Sequence, residues 1–119
     1  LAQIVPRDWT VLDFGCSFAP QAFFFVDHKE YVGVDIMTKI EARFSAANTR
    51  HFLMSIEEFI AAHSADYDME TAFAICSYVP PWGGDNIGRV RSAFRNVFTF
   101  YPADAKAPFL KLAPDILTT

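Results

Sequence analysis

Short apolar blocks recur along the chain, each closed by glycine, proline or a charged cluster, and their periods separate strands from helices. Residues 9–14 (WTVLDF) are β-branched and aromatic and end at Gly15, which predicts a buried strand entering a turn. Pro20 opens a segment, 20–26, read as a short helix with Pro in its first turn and the run Phe23, Phe24, Phe25 as core. Residues 31–37 (YVGVDIM) form a second strand with Asp35 near its end. Residues 38–46 are compatible with an amphipathic helix, because Ile40 and Phe44 stand four apart. Residues 51–54 make a short third strand. Ser55, followed three positions later by Glu58, has the pattern of a capping box, so a helix is expected to about His63. An acidic loop, 64–70, leads to a fourth strand at 71–79 (TAFAICSYV), apolar on both faces as a central parallel strand must be. After the irregular Pro80-Pro81-Trp82-Gly83-Gly84, residues 86–94 have a helical period and 97–101 (VFTFY) read as a fifth strand.

Strands thus alternate with helix-like segments. Right-handed crossovers then give an α/β, three-layer, parallel sheet of about five strands with helices on both faces. The 119 residues suit one domain spanning 1–119, with no repeat or linker to divide it. A hydrophobic content of 52%, including 13 Phe, argues for a dense aromatic core rather than disorder. The chain begins at Leu1 rather than Met, as a trimmed or partial chain would.

Charge and cysteine usage narrow the function. A net charge of −4 lacks the broad basic footprint that phosphate backbones require, which disfavours nucleic acid, although Arg89, Arg91 and Arg95 form a local stripe. Cys16 and Cys76 have no metal-type spacing and read as free buried thiols of a cytoplasmic protein. No apolar run approaches a membrane span. His28, His51 and His63 share no ligand spacing, so no metal is expected and surface or turn positions are the default.

The most informative feature is a linked set. A strand ends in Asp13-Phe14-Gly15-Cys16-Ser17-Phe18-Ala19, a helix follows, and a second strand ends at Asp35 about twenty residues after Gly15. Small residues at such a turn let backbone amides approach a ligand, and a carboxylate at the neighbouring strand tip can accept both hydroxyls of a ribose. Val11-Leu12-Asp13-Phe14-Gly15-Cys16 resembles motif I of the class I S-adenosylmethionine-dependent methyltransferases, whose usual form is V-L-D-x-G-C-G-x-G. Tyr31-Val32-Gly33-Val34-Asp35-Ile36 resembles that family's second strand, and residues 51–59 its third strand and acidic helix.

The resemblance implies a Rossmann-like fold with strand order 3-2-1-4-5, binding S-adenosylmethionine as cofactor. It assigns Asp35 to the ribose with Ile36 beside it, and Asp13, Gly15, Cys16 and Ser17 to the methionine side, Asp13 orienting the ammonium through water. Ser55 and Ile56 fall near the adenine. Two glycines of the motif are replaced by Ser17 and Ala19; wherever a positive φ is needed, each replacement costs roughly 1–2 kcal/mol. The family's C-terminal antiparallel hairpin is also missing. That leaves an apolar edge at Val97, Phe98 and Phe100, so either residues 109–117 fold back over it or a second copy does, as a homodimer through the fifth-strand edge.

Residues 77–82 (SYVPPW) are similar to the N/D/S-P-P-Y/F/W motif of amino-group methyltransferases, but Val79 occupies the hydrogen-bonding position. Ser77, Tyr78 and Trp82 are the acceptor-side candidates, with a prolyl turn around a core Trp as the plain structural alternative. Asp85 fits a helix cap, Glu57 and Glu58 a solvated first turn, and Cys76-Ser77 lacks a histidine to activate a nucleophile. The expected function is methyl transfer to an acceptor, small molecule or protein, that the sequence does not identify. The alternative is a non-catalytic binding or assembly module on the same fold. A dinucleotide oxidoreductase fits poorly, because the turn is not GxGxxG.

Overall fold

The computed structural model describes residues 2–76, 86–99 and 109–111. Five parallel strands, β1 (Thr10–Phe14), β2 (Glu30–Asp35), β3 (Thr49–Leu53), β4 (Ala72–Cys76) and β5 (Asn96–Thr99), lie in the order β3-β2-β1-β4-β5. A sixth strand, β6 (Phe109–Lys111), pairs antiparallel with β5. The apolar edge expected at β5 is therefore closed by the returning tail. Of the two covers expected for it, the one within the chain is present, and the β5 ladder has its partner in β6.

Alternation along the central strands sorts their side chains onto two faces. Leu12, Phe14, Val32, Val34, Ala74, Cys76 and Val97 point to one face, where they pack with Phe59 of helix α1 (Ile56–His63) and with Val90 of helix α2 (Asn86–Ala93) and Phe94 just beyond it. Val11, Tyr31, Phe73 and Ile75 point to the other, covered by Val5, Trp9, Ala22 and Phe25. Both faces of β1 and β4 are buried, which explains why β4 is apolar throughout and why neither strand alternates apolar with exposed polar residues. Helix α1 begins as its sequence predicts. The Ser55 hydroxyl accepts from the Glu58 amide at 3.1 Å and the Glu58 carboxylate accepts from the Ser55 amide at 3.4 Å.

The second face is covered differently from expectation. Residues Pro20–Phe25 form a 3₁₀ helix rather than an α-helix. Because a 3₁₀ turn stacks residues three apart, Ala22 and Phe25 are buried together while Phe23 and Phe24 stay 63% and 65% exposed, so only one Phe of the run is core. The amphipathic helix expected at 38–46 is absent; a single 3₁₀ turn, Ile40–Ala42, stands in its place with none of its residues buried. Two apolar residues make too narrow a stripe to offset helix nucleation, and the chain leaves the turn at Arg43 in an extended conformation. His28 is a turn residue but a buried one, with its Nε2 2.9 Å from the Val5 carbonyl oxygen.

Candidate functional site

The chain runs outward from β1 through β2 to β3, then returns to β4 and β5 on the other side of β1. In open parallel sheets this reversal opens a crevice beyond the carboxyl ends of the strands. The turn leaving β1 sits at that end. Gly15, Ser17 and Ala19 all have positive φ, at 76°, 55° and 58°. Alternate residues are thus left-handed, the conformation a glycine at each position would favour; Ser17 and Ala19 adopt it despite their side chains.

The turn is fastened to β2. The amides of Gly15 and Cys16 both donate to the Val34 carbonyl, at 2.8 and 3.2 Å. The Ser17 amide donates to Asp35 Oδ2 at 2.8 Å, and the Met37 amide donates to Oδ1 at 3.0 Å. β3 reaches the same point, because the Met54 amide donates to the Asp35 carbonyl at 3.1 Å. Three strand tips therefore converge on Asp35, which is half-buried, with Ile36 beside it 69% exposed.

Beneath this layer lies a polar group of side chains in which Asp13 and Cys16 are joined by Tyr31 and His51, two residues that the sequence did not single out for the site. Asp13 is fully buried and its carboxylate accepts the Tyr31 hydroxyl bond. Burial and the neighbouring Asp13 push the Tyr31 phenol well above its ordinary pKa. Asp13 thus sits beneath the turn, its carboxylate buried and engaged by the Tyr31 hydroxyl. Cys16 is likewise buried, and burial pushes its thiol up to about 12. Its Sγ and His51 Nδ1 close over Gly33, where a methyl group would lie 2.8 Å from the sulfur and 2.9 Å from the nitrogen. His51 Nε2 lies 3.0 Å from the Phe44 carbonyl, so it carries the proton and donates; burial holds the ring below its usual pKa.

Arg43 is a further residue that the sequence did not place at the site. It is 5% exposed, and its Nη2 donates to the carbonyls of Asp35 and Met37, both at 3.3 Å. The sequence marks it only as one of two cations, with Lys39, in a segment with too few apolar residues for a helix. Ser55 and Ile56 follow the β3 tip directly, but the Ser55 hydroxyl is engaged at the α1 N-cap. Ser77, Tyr78 and Trp82, with Val79 and Asp85, lie outside the described residues. Among the described residues no cluster of three or more His, Cys, Asp or Glu is arranged to hold a metal.

No family model and no curated protein matches the sequence. Solved structures do match in fold. An rRNA methylase from Streptococcus thermophilus shares 13% identity, with a TM-score of 0.58 over 87% of this chain and 68% of that one. A Burkholderia thailandensis 1,6-didemethyltoxoflavin-N1-methyltransferase, crystallised with 1,6-didemethyltoxoflavin and S-adenosylhomocysteine, shares 15% identity with a TM-score of 0.58 over 98% of this chain. The fold is that of the class I S-adenosylmethionine-dependent methyltransferases. A proposed type II methyltransferase from Anaeromyxobacter dehalogenans gives the same result, with 14% identity and a TM-score of 0.59 over 84% of this chain. The chain is shorter than these neighbours, spanning 44% of the Anaeromyxobacter protein and 61% of the Burkholderia one.

Proposed function

We propose that this chain binds S-adenosylmethionine at the carboxyl ends of β1, β2 and β3 and belongs to a methyl-transferring protein. The observation that carries the reading is the 2.8 Å bond from the Ser17 amide to Asp35, which joins the glycine-like turn to the acid of the next strand. The donor chemistry fits the cofactor. A carboxylate has about four acceptor sites, and the Ser17 and Met37 amides use one on each oxygen. One site per oxygen is left, matching the two hydroxyls of a ribose. The left-handed turn at Gly15, Ser17 and Ala19 supports the same assignment, as does the exposed Ile36, an apolar surface for a nucleobase.

In this reading Asp35 holds the ribose diol, Gly15 and Ser17 bound the methionine side, and Cys16 is packing beneath them. Ser55 and Ile56 flank the base. Asp13 and Tyr31 keep the turn in place, and Ser77, Tyr78 and Trp82 remain the acceptor-side candidates. When bound, the cofactor supplies an electrophilic methyl on its sulfonium, so the protein's share of the work is alignment and exclusion of water, with no dedicated nucleophile required. Isothermal titration with S-adenosylmethionine and S-adenosylhomocysteine tests the reading. Micromolar binding that weakens at least tenfold in Asp35→Ala is expected. Absence of heat with both ligands would instead favour a non-catalytic module, a reading that the unrelieved strain at Ser17 and Ala19 supports.

A further inference from the structure

Arg43 occupies a place that stability alone does not explain. Its guanidinium is buried, yet Nε and Nη1 have no hydrogen-bond partner among the described residues. Buried unsatisfied donors are costly, and those on a charged group more so. The contacts it does make are local to one point. Nη2 bridges the carbonyl of Asp35 and the carbonyl of Met37, and Met37 is the residue whose amide holds Asp35 Oδ1. One side chain therefore fixes two of the peptide carbonyls that follow from the acid, those of Asp35 itself and of Met37.

The next residue extends the brace. The Phe44 amide donates to the Phe18 carbonyl at 2.8 Å, and the Phe44 carbonyl accepts from His51 Nε2. Residues 43 and 44 thereby tie the β1 turn, the β2 tip and β3 together, a task that the 3₁₀ turn at Ile40–Ala42 makes possible by reversing the chain. We infer that Arg43 is a positioning residue: by clamping the Asp35 and Met37 carbonyls it sets the direction in which the Asp35 carboxylate faces the nucleoside diol. The part of this inference that concerns the diol rests on the cofactor reading above; the part that concerns Asp35 does not.

Two measurements on Arg43→Met and Arg43→Lys separate these parts. In the ligand-free protein, amide hydrogen exchange at Ser17 and Met37 reports whether their bonds to the carboxylate persist. Arg43→Met should speed exchange at both by about tenfold while leaving Ile75 in β4 unchanged, and Arg43→Lys, which keeps the charge but loses the planar fork, should fall between. Titration with S-adenosylhomocysteine and its 2′-deoxy analogue reads the second part. The wild type should prefer the hydroxylated ligand by about tenfold, and Arg43→Met should erase most of that preference. Equal loss of affinity for both ligands, or exchange that rises uniformly across the sheet, would reduce Arg43 to a packing role and overturn the inference. Should Arg43→Met not fold, the Lys variant decides it: unchanged exchange at Ser17 and Met37 overturns the clamp. A wild type that ignores both ligands refutes the cofactor reading, while the exchange data still decide the clamp.

Discussion

Ser17 offers a direct test of whether the turn after β1 is a glycine-type turn carrying the wrong side chains. Its φ is 55°, a region that costs an L-residue roughly 1–2 kcal/mol. Replacing it with glycine removes that strain but adds backbone freedom to the unfolded chain, which offsets about 0.5–1 kcal/mol. The residue is exposed and its hydroxyl has no hydrogen bond among the described residues, so little packing is lost. Ser17→Gly should therefore stabilise by about 0.5–1 kcal/mol, raising Tm by about 2–5 °C in a domain of this size. Ser17→Ala keeps the strain and removes only the hydroxyl; it should lie within about 0.5 kcal/mol of wild type. Urea denaturation measures both, with an unchanged m-value expected. A Ser17→Gly protein no more stable than Ser17→Ala would show that the strain estimate is wrong.

Ala19→Gly relieves the same kind of strain at φ 58°, but this side chain is buried, and losing a buried methyl costs about 0.8 kcal/mol; chemical denaturation should find it near neutral, in contrast to Ser17→Gly. Gly33→Ala places a methyl 2.8 Å from Cys16 Sγ and should destabilise by about 1–3 kcal/mol in the same assay, with part of the loss recovered in the double variant with Cys16→Ala. Cys16 and Cys76 are buried and free, each with its thiol pushed up to about 12, so a chromogenic disulfide reagent at neutral pH should react with both only after denaturation. Burial holds the His51 pKa below the ordinary histidine range, so its folded form resists protonation. The stability this contributes is complete above the unfolded-state pKa and is lost as pH falls toward the folded-state value. His51→Gln should consequently lose less stability than wild type when melting is followed downward from neutral pH.

The elements legible in the sequence are those whose signals are local. β1 announces itself by a β-branched and aromatic run that ends at Gly15, β4 by an unbroken apolar run, and the start of α1 by a Ser and a Glu three apart. The meeting of the turn that begins at Gly15 with Asp35, made through the Ser17 amide, was equally legible, since the spacing and strand context carry it. What the sequence concealed depends on tertiary competition. Phe23 and Phe24 look like core until the segment proves to be 3₁₀, which stacks Ala22 on Phe25 and turns the other two outward. Residues 38–46 have helical spacing, but Arg43 is drawn to the β2 tip by two carbonyls that no local pattern reveals. The burial of Asp13 against Tyr31 is a contact between neighbouring strands, and only the β1–β2 register brings the two together. Closure of β5 by β6 was readable as a need, because an apolar edge requires a cover, though three residues are too few to announce a strand.

Titration of S-adenosylhomocysteine into isotopically labelled protein, followed through backbone amide resonances, tests the proposed nucleoside site at the strand tips most directly. Saturable, one-to-one shifts confined to Gly15, Ser17, Ile36, Met37 and the amides around Ser55 are the expected result. Shifts that cluster elsewhere, or a spectrum that does not move at millimolar ligand, would contradict the assignment of this crevice.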